Sequence, residues 1–211
     1  MPLTQVPVAM FETDMATQAE LNAVDTAKAN ASATVNLTGD QTVSGIKTFS
    51  SQPVLPQKLT LDTAKASTSG TSVDFTGIPS WVNRITMTLH SVSTSGSAIP
   101  QVQLGTSGGF ATSGYASMAM AVAGVSAAAA AASTGLVLST GGAAANSYNG
   151  LVVITRVDST KWSMTSCVSG ASNGGASAAG SVTLGGQLDR VRLTTTGADT
   201  FDAGSVNILY E

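Results

Sequence analysis

The chain has 211 residues, of which 43 % are hydrophobic, 5 % aromatic and 10 % charged, a charged fraction well under half of the roughly 25 % usual for soluble domains. Nine Lys and Arg against twelve Asp and Glu leave a net charge of −3, which lacks the basic footprint of phosphate-backbone binding and argues against nucleic acid as a partner. A mean hydropathy of +0.24 and real apolar runs argue equally against disorder through charge.

The N-terminus, Met1-Pro2-Leu3-Thr4-Gln5, has no basic region followed by an apolar core, and Glu12 and Asp14 interrupt the first apolar residues, so no signal peptide is expected. From Glu12 to Val35 there is no Gly or Pro, and Thr13 or Asp14 is placed to cap a helix. Leu21, Val24, Lys28, Ala31 and Val35 follow three-four spacing. That spacing suits either a short coiled coil between chains or a single amphipathic helix packed on its own domain. At Val35 the composition turns to Thr, Gly and β-branched residues, with turn pairs at Gly39-Asp40 and Ser44-Gly45. Three segments are therefore expected: a helical attachment or trimerisation segment over 1–36, a short β-hairpin stalk over 37–63, and a β head over 64–211.

Within the head the expected strands are 72–75, 82–92, 99–104, 136–139, 151–157, 161–168, 182–184, 189–195 and 205–210. Polar and apolar residues alternate strictly in Arg84–His90 and Arg190–Thr194, so each of these strands buries one face. Many short strands with polar turns and no useful intervening helix point to an antiparallel β-sandwich, jelly-roll-like. Two low-complexity stretches stand apart. Ser126–Ser133 is read as helical turns or a packed loop, and Ser169–Ser181 as a long hairpin tip. The most membrane-like stretch, Ala116–Ala132, is short and weakly hydrophobic, and no membrane insertion is expected.

Chemistry-bearing residues are few. His90 is the only histidine, on the polar face of its strand, which leaves no His-rich metal site and no usual nucleophile-base arrangement. Cys167 is the only cysteine; it permits no intrachain disulfide and reads as a buried, inert thiol. Asp74, Asp158, Asp189, Asp199 and Asp202 are the candidate catalytic carboxylates in the head, and several sit where turns are expected, so turn formation outranks glycoside cleavage. Gly105–Gly109 and Gly141-Gly142 lack the Lys-Ser/Thr of a phosphate loop. No catalytic residue, metal or cofactor is expected. Aromatic rings stack on the apolar faces of sugars, so Tyr115 and Tyr148 in loops, and Trp81 and Trp162 at strand entrances, are the candidate ligand contacts. Phe75, Phe110 and Phe201 are assigned to the core.

The run Leu37-Thr38-Gly39-Asp40-Gln41-Thr42-Val43-Ser44-Gly45-Ile46-Lys47-Thr48-Phe49, followed by Pro53 and Leu55-Pro56, resembles a segment of bacteriophage and prophage tail fibres. The stretches Val73–Ile85, Val102–Gly105, Ser113–Tyr115 and Phe201–Glu211 resemble the distal domain of such fibres. The resemblance implies a non-enzymatic homotrimeric virion component, made in the host cytoplasm. Its N-terminal region would attach to other phage tail proteins and its β head would meet a bacterial surface glycan, polysaccharide or lipopolysaccharide. The sequence departs from the usual fibre in having no long repeat-built shaft between Ser51 and Thr71, which opens an alternative: an adaptor or decoration protein that docks other virion proteins.

Overall fold

The structure is a computed structural model that describes residues 59–123, 126–170 and 174–211. The helix assigned to 1–36, with Leu21, Val24, Lys28, Ala31 and Val35, and the stalk up to residue 58 lie outside the described residues. Val54–Glu211 form one compact unit, which begins ahead of the boundary expected near Ala64.

Among the described residues there are only strands: β1 (Thr60–Leu61), β2 (Lys65–Ala66), β3 (Ser72–Thr76), β4 (Arg84–Thr94), β5 (Pro100–Thr106), β6 (Gly109–Phe110), β7 (Ala116–Ala123), β8 (Ser126–Ala132), β9 (Leu136–Val137), β10 (Tyr148–Arg156), β11 (Lys161–Ser169), β12 (Gly175–Thr183), β13 (Arg190–Thr195) and β14 (Phe201–Tyr210). They form two antiparallel sheets. The larger runs β1-β14-β4-β10-β11-β12-β7-β8, with β2 also on β14; the smaller runs β3-β13-β5-β6, with β9 also on β5. Thr60–Leu61, expected in the stalk, pairs with Leu209 and Tyr210 and so belongs to the larger sheet.

The alternation read in the sequence sets the faces. Ile85, Met87 and Leu89 on β4, Trp162, Met164 and Val168 on β11, and Val191 and Leu193 on β13 are buried, while Lys161, Ser163, Thr165 and Ser169 point out. These inward side chains from both sheets join one hydrophobic core that also holds Phe75, Leu104, Leu136, Ile154 and Phe201. Fully burying each Leu, Ile, Phe or Met contributes about 1.5–3 kcal/mol.

Both low-complexity stretches are strands, which corrects the sequence reading. Ala is the best helix former, yet Ser126–Ala132 pairs along its whole length with β7, and ladder hydrogen bonds override local propensity. Gly175–Thr183 is likewise a full strand between β11 and β7, so the hairpin tip expected over Ser169–Ser181 is in large part strand. Cys167 is exposed on the outer face of β11, not buried as expected.

A bend crosses the larger sheet at one level. The non-glycine residue Ser91 has φ 51°, and its N–H donates to Asn149 Oδ1 at 2.7 Å. The β4–β10 register shifts at the same place, between Tyr148 and Gly150. Glycine is required on both flanks: at Gly150 (φ 146°) a Cβ would collide with the Cys167 carbonyl, and at Gly204 (φ 94°) with the Ser91 carbonyl.

Candidate functional site

The register places the candidate aromatics at two ends of the larger sheet. Trp162 starts β11 opposite Val182, and Tyr115 immediately precedes β7, whose Ala116 faces Ser181. Trp81 lies at that end too, since Arg156 donates from Nη1 to the neighbouring Ser80 carbonyl at 3.1 Å. Tyr148 starts β10 at the opposite end, beside the β11–β12 tip.

Three of the four are core side chains, a correction with a plain physical cause. Tyr115 is 4 % exposed, Tyr148 1 % and Trp162 1 %, so none offers a ring face to a ligand. The Tyr115 hydroxyl accepts from the Leu104 N–H at 2.7 Å and lies 3.4 Å from the Leu104 carbonyl. Burial raises its pKa to about 12, against the opposing bond to Leu104. Trp162 fills the core with its Nε1–H lacking an acceptor. Trp81 is half-buried against Tyr210, with ring centroids 5.9 Å apart. Of the phenylalanines assigned to the core, Phe75 and Phe201 are buried, whereas Phe110 is half-exposed beneath the Arg192 guanidinium at 4.0 Å.

At the Tyr148 end the fold builds a cleft of about 120 Å³. Val168 and Ala176 are apolar in its wall, Ser139 and Asn146 bring polar side chains, and Gly170 and Gly174 bring backbone from the hairpin tip. Asn146 is positioned by a turn in which its N–H donates to the Ala143 carbonyl at 2.9 Å. Its Nδ2 donates to the Tyr148 hydroxyl at 3.3 Å, which in turn donates to the Gly141 carbonyl at 3.2 Å. Burial raises the Tyr148 pKa, opposed by the bonds from Asn146 and Ser139, so the hydroxyl stays protonated and neutral. The volume is below the roughly 300–1,000 Å³ of pockets that enclose a drug-sized ligand. The cleft is therefore a notch with room for one small group.

The residues that line the notch are uncharged. Residues 91–155 contain no Asp, Glu, Lys, Arg or His, and they supply β5 to β9, nearly all of β10 and the loops around the notch. That run supplies the Tyr115 end of the larger sheet as well as the notch. The two nearby carboxylates are engaged: Asp199 Oδ2 accepts from the Ala98 N–H at 2.6 Å, and Asp202 accepts from the Ser93 hydroxyl. His90 is exposed on the outer face of β4, as its alternation predicts.

The other carboxylates have structural partners. Asp158 accepts from the backbone N–H of Thr160 and Lys161 and from Lys161 Nζ at 2.8 Å, which holds it well below the usual carboxylate range. Asp189 pairs with Arg190 at 2.6 Å, and Asp74 pairs in bidentate fashion with Arg192 at 2.7 Å. Among the described residues no three His, Cys, Asp or Glu side chains gather as a metal site needs, and no helix is long and apolar enough to cross a membrane. Comparison of the chain with models of protein families, with curated proteins and with solved structures finds no match.

Proposed function

We propose that the chain is a bacteriophage or prophage tail fibre protein, homotrimeric and non-enzymatic, whose head is an antiparallel, jelly-roll-like β-sandwich that contacts a glycan on the bacterial surface. The observation that carries the reading is the uncharged notch lined by Ser139, Asn146 and Tyr148. A notch that offers hydroxyl, amide and backbone groups and no charged side chain in its lining matches the many hydroxyls of a neutral polysaccharide. The fibre-like segment Leu37–Phe49 supports the same reading, with the N-terminal region held by other tail proteins and the whole carried in the virion.

A second reading has its own observation. Tyr115, Tyr148 and Trp162 are all buried, which removes the stacking faces that most sugar sites use. The adaptor or decoration role, docking other virion proteins, needs no such faces.

Retention of the purified full chain on intact bacteria, in parallel with capture of phage tail proteins, separates the two. Ala145 is exposed in the turn beside Asn146, and Ser159 is exposed in the turn at the opposite end of the sheet. On the glycan reading Ala145→Trp lowers retention at least about tenfold, equivalent to ~1.4 kcal/mol, and Ser159→Trp leaves it unchanged. Equal retention of both variants, or tail-protein capture without cell binding, contradicts the glycan reading.

A further inference from the structure

The notch at the Tyr148 end has an apolar part and a polar part that come from different elements. Val168 of β11, Ala176 of β12 and Ala121 of β7 are successive partners across the larger sheet, and all three line the notch. Its sheet side is therefore one apolar row, in which two of three residues are alanine and leave space that a larger side chain would take. Ser139 and Asn146, from the loop between β9 and β10, supply the polar side chains with Tyr148.

The hydrogen-bonding capacity left in the notch follows from the bonds already made. The Tyr148 hydroxyl has one hydrogen, which goes to the Gly141 carbonyl, so it must accept from Asn146. That assigns the carboxamide with Nδ2 toward Tyr148 and leaves Oδ1 as an acceptor. With Ser139 also bonded to the phenol, Tyr148 is fully engaged. Among the described residues no donor bonds to Asn146 Oδ1. What remains is the carboxamide oxygen and the second Nδ2 hydrogen of Asn146, beside an apolar row and without a charged side chain.

A group that satisfies this lining is small and uncharged, and carries a methyl for the row together with a donor for Oδ1. A carboxylate or phosphate meets no cation here. A hydroxyl brings the donor without the methyl, an O-acetyl ester the methyl without the donor, and the methyl of a 6-deoxy sugar sits on a carbon that bears no donor. An acetamido group brings both: its methyl and its N–H lie on either side of one planar amide.

We propose that the notch takes the acetamido group of an N-acetylated amino sugar, with the methyl against Val168, Ala176 and Ala121 and the amide N–H on Asn146 Oδ1. This rests on the reading of the loop end as a glycan contact and names the class of sugar that it selects.

The test uses the purified full chain and polysaccharide extracted from bacteria that retain it, in four forms: native, N-deacetylated with alkali, then re-N-acetylated or N-formylated. N-formylation restores the neutral amide N–H without the methyl. Deacetylation is expected to weaken binding at least about tenfold, re-N-acetylation to restore it, and N-formylation to restore it only in part, since one missing methyl already discriminates in a fitted apolar site. Ala121→Leu, at a half-buried position of the row, is expected to bind all four forms alike with its melting temperature kept; the polysaccharide series stands without this variant. Native and deacetylated forms that bind equally, or a loss that re-N-acetylation does not reverse, overturn the proposal and leave the glycan reading in place. A chain that binds no bacterial polysaccharide overturns both.

Discussion

Asp74 is the residue whose environment is most fully specified. Burial works against its charged form, but the bidentate bond and charge of Arg192, with a bond from Ser72 and the charge of Lys65, outweigh it and lower the pKa. The Arg192 guanidinium also covers the Phe110 ring. Both partners of the pair keep about a third of their side-chain surface in water, 29 % for Arg192 and 34 % for Asp74, and solvent screening holds the contribution of the pair to about 1 kcal/mol. A lowered carboxyl pKa stabilises the fold above the unfolded value of about 3.9 and stops doing so as the pH falls through the folded value. Asp74→Asn is therefore expected to lower the urea unfolding free energy by about 1 kcal/mol at pH 6, the gap to wild type closing below about pH 3.9. A gap of the same size at both ends of that range contradicts the assignment.

Single residues were unevenly legible. The face of His90 followed from alternation, since Ile85, Met87 and Leu89 fix β4 and leave His90 outside. Cys167 lies on an equally regular strand, where Trp162, Met164 and Val168 occupy the inward register and put residue 167 outward; a general preference of cysteine for cores misled where the local period was correct. For Tyr115 and Tyr148 the flanking Ser, Gly and Asn residues marked loops truthfully, but loop backbone carried the rings inward, where each hydroxyl has a hydrogen-bonding partner. Composition locates a loop and does not say which way its side chain points.

At the scale of strands, the regular ones were readable and the special ones were not. Expected strands such as 161–168 and 189–195 differ from Lys161–Ser169 and Arg190–Thr195 by a residue. β8 and most of β12 escaped because Ala, Gly and Ser stand on both of their faces, which erases the contrast that a period of two needs. What makes them strands is their neighbours β7 and β11, a non-local cause. The bend at Ser91 was equally hidden, since it arises from three chain segments meeting. It yields a sharp expectation: Gly150→Ala, which forces a side chain at φ 146° into the Cys167 carbonyl, costs about 2–4 kcal/mol. Thermal or urea unfolding measures it, and a loss under about 1 kcal/mol means that the bend relaxes freely.

Across the described residues, two antiparallel sheets around one core leave two distinct surfaces: a loop end with a small polar notch, and an exposed apolar face on β7 and β8. The fold class was legible because it depends on many strands of one kind. The notch was not, because Ser139 and Asn146 stand at the two ends of one loop, Gly174 comes from another, and they share no motif. The account holds that the loop end meets neutral glycan. The measurement that tests its central claim is amide hydrogen exchange of the full chain, with and without surface polysaccharide extracted from bacteria that retain it. Slowed exchange at residues 139–149 and 174–176, which line the notch, is the predicted result; slowing only at the opposite end of the sheet, or none at saturating polysaccharide, contradicts it.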